Sequence, residues 1–152
     1  MRHLKIYTDG GCHGNPGPGG WAFRIVTDND EVLLSYGGFD PMTTNNRMEL
    51  VAVIEGLQAV QQHTDPEAMV TVVTDSQYVR MGITDWIRRW ERNGWLTAAK
   101  KPVKNVDLWQ TLRGLEQRIK PQWTWVKGHS GDEHNEGCDR LVQEQIRSRG
   151  EA

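Results

Sequence analysis

At Thr44 the hydrophobic period of the chain changes, and the change dictates a fold containing both strands and helices. Before it, Leu4–Asp9 alternates apolar with polar residues and meets Gly10-Gly11, which predicts a strand ending in a turn. Residues 14–20, Gly-Asn-Pro-Gly-Pro-Gly-Gly, read as a loop on composition alone. Trp21–Val26 and Val32–Phe39 predict two more strands, joined by a hairpin turn at Asp28-Asn29-Asp30. After Thr44, Leu50, Val53, Ile54, Leu57 and Val60 fall on one helical face, with Thr44 or Asn45 as N-cap. Asp65-Pro66 closes that helix, and the β-branched run Met69–Thr74 predicts a buried strand. A helix then runs from Asp75-Ser76 through Trp86 towards Asn93-Gly94, and another from about Val106 to Ile119. Trp123–Val126 predicts the last strand, followed by a Gly-rich loop and a helix from about Glu133 to Ser148. Consecutive strands followed by strands alternating with helices predict an α/β layer structure with a mixed sheet. No internal repeat or linker divides the chain.

Its 152 residues suit a single domain spanning 1–152. The longest apolar run is the five residues Leu50–Ile54, which excludes a membrane-spanning helix of ~20 residues. Residues 1–5 carry no secretory leader pattern, and two cysteines form no disulfide framework, so a cytoplasmic protein is expected. The formal net charge of −2 by itself suggests no nucleic-acid partner. Its distribution says more. Residues 80–104 hold seven basic side chains (Arg80, Arg88, Arg89, Arg92, Lys100, Lys101 and Lys104) against Asp85 and Glu91. The same segment holds Trp86, Trp90 and Trp95, three of the seven tryptophans. Cations interleaved with aromatics suit a polyanion whose sugars and bases can be stacked upon. The same tryptophans, at helical spacing, equally suit core contacts.

Four carboxylates stand out. Asp9 and Asp75 each end a predicted strand, in the matching strings Thr8-Asp9-Gly10 and Thr74-Asp75-Ser76. They either face a common crevice at the carboxyl ends of the strands or serve as turn formers and caps. Glu49 lies at the edge of the apolar arc of its helix, and Asp139 shares a face with Val142 and Ile146. A carboxylate aimed at a core requires a salt bridge or a metal. Oxygen ligands without several cysteines or histidines select Mg²⁺ or Mn²⁺. Four of them suit two such ions ~4 Å apart, an arrangement that cleaves phosphodiesters.

With these strings in place the chain resembles bacterial ribonuclease H of the type 1 class. The resemblance is carried by Tyr7-Thr8-Asp9-Gly10 with the Gly14–Gly20 loop, Thr43-Thr44-Asn45-Asn46-Arg47-Met48-Glu49-Leu50 and Thr74-Asp75-Ser76-Gln77-Tyr78-Val79. Gly82-Ile83-Thr84, the run from Lys101 to Trp109, Trp125-Val126-Lys127-Gly128-His129, and Asn135-Glu136 ahead of Cys138-Asp139 complete it. It implies a five-stranded mixed sheet flanked by helices. It also implies endonucleolytic cleavage of the RNA strand of an RNA–DNA hybrid, leaving 5′-phosphate and 3′-hydroxyl ends. Asp9, Glu49, Asp75 and Asp139 match the family's metal-binding carboxylates, with Asp9 bridging two Mg²⁺ ions, and Mn²⁺ is a possible substitute. His129 matches a loop histidine that assists proton movement or product release.

By the same resemblance Asn15, Asn45 and Gln77 contact the minor groove, and Thr44 and Asn105 hold a phosphate of the DNA strand. Residues 80–104 match a basic protrusion, with Trp86 along the DNA strand, in a monomeric protein. Turn and cap chemistry is the alternative role for the amides. The chain departs from the family pattern at Met42, where relatives often carry arginine, and at Glu91, Leu96 and Gly137. Two other functions fit parts of the pattern: an integrase- or resolvase-like DNA nuclease on the same fold, and a hybrid-binding module without catalysis.

Overall fold

The computed structural model describes residues 2–64, 67–127 and 132–150. Strands β1 (His3–Cys12), β2 (Gly17–Thr27) and β3 (Val32–Thr43) form an antiparallel meander. Helix α1 (Asn45–His63) leads to β4 (Met69–Thr74), which pairs in parallel with β1. The chain then passes through α2 (Gln77–Met81), a π-helical stretch (Gly82–Trp86), α3 (Ile87–Asn93) and α4 (Val106–Ile119). It returns as β5 (Gln122–Trp125), parallel to β4, and ends in α5 (Glu133–Gly150). The strand order is β3-β2-β1-β4-β5, the mixed five-stranded sheet that the periodicity and the resemblance predict.

The two-residue period of the strands sorts side chains between two cores. Leu4, Ile6, Phe23, Ile25, Val70 and Val72 face α1 and α4, together with Leu50, Val53, Leu57, Trp109 and Leu112. Tyr7, Ala22, Val26 and Val73 face the opposite way, onto Cys138, Val142 and Ile146 of α5. α5 is thus the sole described helix on its side of the sheet, so its seat there fixes whatever it carries.

Three elements differ from the sequence reading. β1 does not turn at Gly10-Gly11 but runs on to Cys12, because Gly11 and Cys12 pair with Gly20 and Gly19 of β2. In sequence those two glycines of β2 read as loop, since composition does not reveal a partner strand lying alongside. β3 continues past Phe39 through Pro41 to Thr43, which an edge strand tolerates because it needs no inward N–H at every position. The helix expected from Asp75 to Asn93 is widened by π-helical turns from Gly82 to Trp86. There the buried indole of Trp109 presses so closely on Gly82 that a Cβ would lie 2.0 Å from it. Helices widen in this way where a neighbour intrudes.

Candidate active site

The centre of the sheet brings the first two carboxylates together. β1 and β4 are parallel neighbours with Tyr7 opposite Val73, so Asp75, just past the end of β4, comes level with Asp9, which lies within β1 where that strand continues beyond its neighbour. Gly10 then lets α1 approach. A Cβ at that position would lie 2.3 Å from the carbonyl carbon of Met48 and 2.6 Å from the backbone nitrogen of Glu49. Only a residue without a side chain admits the helix there, and the backbone of Glu49 consequently packs against Gly10, next in sequence to Asp9. Asp139 comes from α5 on the other face. Thr8, Asp9, Asp75, Asn135, Glu136 and Asp139 line one small cleft. Glu49 is held at its back, where its Oε2 accepts a short hydrogen bond from Ser76 Oγ. Ser76 also caps α2, its Oγ accepting from Val79 N–H at 3.0 Å.

Burial and mutual repulsion dominate the electrostatics. Asp9 is pushed up to about 8, first by desolvation, then by the charges of Asp75 and Asp139 and by a hydrogen bond with Asp139. That bond requires a proton between the two carboxyl groups. Glu49 is raised to about 7 by desolvation and by Asp75, against the lowering effect of the Ser76 hydroxyl. Burial pushes the Cys138 thiol, next to Asp139, up to about 12, so it is an inert core group. Among the described residues, no three His, Cys, Asp or Glu side chains are gathered closely enough to hold a metal ion as they stand. Asp9 is held to Asp139 and Glu49 to Ser76 instead. The donor set is nonetheless all carboxylate oxygen, and it is the type of set that a hard divalent cation neutralises.

Residues 1–147 match the sequence profile of the RNase H family. The chain is 52% identical to "Ribonuclease H" of Treponema pallidum subsp. pallidum, over 95% of this chain and 90% of that protein. The chain belongs to the ribonuclease H family. Two solved structures extend the likeness. LC9-RNase H1, described as a type 1 RNase H with the type 2 active-site motif, superposes with a TM-score of 0.85 at 28% identity, covering 98% of this chain and 74% of that one. LC11-RNase H1, solved in complex with an RNA/DNA hybrid, gives 0.72 at 26% identity, covering 95% and 97%. The members of this family are endoribonucleases, so an enzyme and not a silent binding module is the setting for the remaining residues.

In this ribonuclease H family member, Asn15 and Asn45 tie the end of β1 and the β1–β2 loop to α1. Asn15 Oδ1 accepts from the Asn45 backbone N–H at 3.1 Å, and Asn45 Oδ1 accepts from Cys12 N–H at 2.8 Å. Both side chains are exposed, and among the described residues neither NH₂ group has a partner. Gln77 is exposed at the start of α2. Thr44 caps α1, its Oγ1 accepting from Arg47 N–H at 3.2 Å. The cap alternative therefore holds for Thr44, not for Asn45.

Asn105 adopts a left-handed backbone conformation and bonds to Arg47 Nη1 through its Oδ1 at 3.1 Å and to Tyr78 OH through its Nδ2 at 3.0 Å. Arg47 is also bidentate to Asp107, at 3.2 and 3.1 Å. Sequence reading missed Arg47, Ser76, Asn135 and Glu136 as parts of the site, although all four stand inside the quoted motifs. His129 lies outside the described residues.

The basic segment combines both roles foreseen for its tryptophans. Trp86, Trp90 and Trp95 are half-buried and pack against the core, with ring centroids 5.8 and 5.9 Å apart along the series. Trp86 and Trp90, with Tyr78, Arg89, Val103 and Lys104, wall an open groove. Glu91 does not stand free beside the cations. It receives two bonds from Arg113 of α4, at 3.1 and 3.0 Å, which tie the protrusion to the body. Met42 is an exposed side chain near the end of β3.

Proposed function

We propose that this chain hydrolyses the RNA strand of RNA–DNA hybrids with two divalent cations held by Asp9, Glu49, Asp75 and Asp139. Mg²⁺ is the expected ion and Mn²⁺ a substitute. The observation that carries the reading is the gathering of Asp9, Asp75 and Asp139 around one cleft with Glu49 at its back. Bound there, such ions activate water and offset charge on the phosphate and the leaving oxygen.

The chain's own residues do the rest. The four carboxylates hold the cations and, through their mutual repulsion, favour binding them. Asn15, Asn45 and Gln77 offer amide donors to 2′-hydroxyls and base edges in the wide minor groove of an A-like hybrid, the feature that distinguishes RNA from DNA. Thr44 and Asn105, with Arg47 beside them, receive a phosphate of the DNA strand. Trp86 and the basic residues of 80–104 run along that strand. His129 moves a proton or assists release of product. Water adds across the P–O3′ bond, and the products carry 5′-phosphate and 3′-hydroxyl ends. The hybrid in the LC11-RNase H1 complex supports this substrate. A monomer acting in the cytoplasm completes the reading, and among the described residues no helix is long and apolar enough to cross a membrane.

The test is Mg²⁺-dependent cleavage of a labelled hybrid alongside RNA–RNA and DNA–DNA duplexes, with Asp9→Asn in parallel. The hybrid alone is cut, and Asp9→Asn binds it without cutting. Cleavage of DNA duplex with the hybrid untouched identifies an integrase- or resolvase-like nuclease instead, and unchanged turnover in Asp9→Asn removes that residue from the mechanism.

A further inference from the structure

The first turns of α5 supply Asn135, Glu136 and Asp139 to the cleft, half of its lining. Asn135 and Asp139 are four residues apart on one face, while His134, Cys138 and Val142 form the neighbouring face that meets the sheet. Asp132 starts the helix, its Oδ1 accepting from His134 N–H at 2.9 Å and from Asn135 N–H at 3.1 Å.

The contact between that turn and the sheet is polar. The His134 side chain is buried, 5% exposed. Arg24 Nη1 of β2 lies 3.1 Å from its Nδ1, and Asp30 Oδ1, in the β2–β3 turn, lies 2.6 Å from its Nε2. A guanidinium only donates, so Nδ1 accepts and Nε2–H donates to Asp30. The Tyr7 ring of β1 packs against the imidazole, with ring centroids 4.9 Å apart. Gly137 makes room for the arginine, since a Cβ there would lie 2.4 Å from Arg24 Nη2. The buried Arg24 Nε finds no partner among the described residues. An apolar contact would seat the helix without that desolvation cost, whereas directional bonds to β2 and to the turn set its rotation and axial position.

We infer that Arg24, His134 and Asp30 form a positioning network that sets α5, and through it the reach of Asp139 to Asp9. The inference rests on the reading of Asp139 as one of the cation-holding carboxylates. It is tested in the full-length chain with His134→Ala, His134→Gln, Gly137→Ala, Arg24→Met and the double variant Arg24→Met/Gly137→Ala. Three quantities are measured: hybrid cleavage kinetics, Mg²⁺ binding by calorimetry without substrate, and Tm. His134→Ala and Gly137→Ala lower kcat and weaken Mg²⁺ binding about tenfold, the usual scale for groups that orient metal ligands. KM for the hybrid stays within about twofold, because the grip is built on other elements.

Gly137→Ala does so even though alanine is the better helix former. It has no further effect once Arg24 is Met. His134→Gln, which keeps one acceptor and one donor, recovers most of the loss. A fall in Tm with kcat and Mg²⁺ binding unchanged, or an undiminished Gly137→Ala effect in the Arg24→Met background, overturns the network. Asp139→Asn separates the two levels. If it leaves Mg²⁺ binding intact, the cleft reading itself fails. If it weakens binding while His134→Ala does not, the network alone fails.

Discussion

Asp9 is the side chain on which the local electrostatics converge, and its proton makes the chain's stability depend on pH. In the folded chain Asp9 titrates near 8 and Glu49 near 7, whereas the unfolded carboxyls titrate near 4. Between those values the folded state holds protons that the unfolded state has released. Stability is therefore greatest at the acid end of this window and is lost as pH rises through about 7 to 8. In EDTA, Tm falls as pH is raised from about 5 to about 8. Asp9→Asn flattens that fall and raises Tm at pH 8 by several degrees, at roughly 2–4 °C per kcal/mol for a chain of this size. Thermal melts across pH check it, and a wild-type Tm independent of pH would contradict the carboxylate repulsion. Ser76→Ala removes a helix cap worth about 1 kcal/mol. It also removes the hydroxyl that lowers Glu49, so Glu49 rises further, which NMR titration of its carboxyl carbon detects. The matching strings around Asp9 and Asp75 made their pairing legible in sequence, because identical positions on parallel neighbours face one way. The role of Ser76 was not legible: its bond to Glu49 spans 27 residues and depends on how α1 meets α2.

Elements carry the next level of information, and the protrusion shows where sequence reasoning stops. Local patterning located a helical course from Asp75 to Asn93 and the strand–helix order, since both follow from local spacing. It did not locate the π-helical turns, which answer to Trp109 of α4, or the pairing of β1 and β2 through their glycines. Glu91 is the sharpest case. By composition it reads as an acid that weakens a basic grip, yet in the fold it is bonded to Arg113, itself bonded to Glu116 at 2.5 Å. The two views predict opposite results for Glu91→Gln. A repulsive charge, once removed, would tighten hybrid binding. A tether, once cut, lets α3 shift on α4. We expect the second: KM rises about twofold, and stability falls by no more than about 1 kcal/mol, because both partners remain partly exposed to water. Steady-state kinetics and a denaturation curve decide between them.

For the whole molecule, the net charge of −2 averages two regions with opposite tasks. The carboxylate cleft lies where β4 ends beside Asp9 of β1, and the exposed cations lie on a separate segment whose tryptophans anchor it to the core. Separation of this kind lets binding and chemistry be altered independently. Arg88, Arg89 and Arg92 are exposed, but Arg89 is bonded to Asp85 at 2.7 Å and has less charge to offer a phosphate. Replacing all three with glutamine removes two to three phosphate contacts. Each contact contributes about 0.9 to the slope of log K against log salt, so the slope becomes shallower by roughly two. KM rises steeply at low salt, where counterion release drives binding, and the difference from wild type narrows as salt increases. At saturating hybrid kcat is retained, since none of the three arginines reaches the cleft. Fluorescence anisotropy of a labelled hybrid at several salt concentrations measures the slope, and single-turnover cleavage measures the chemistry. An unchanged slope would move the grip away from this segment, while a lost kcat would show that the protrusion also aligns the scissile phosphate.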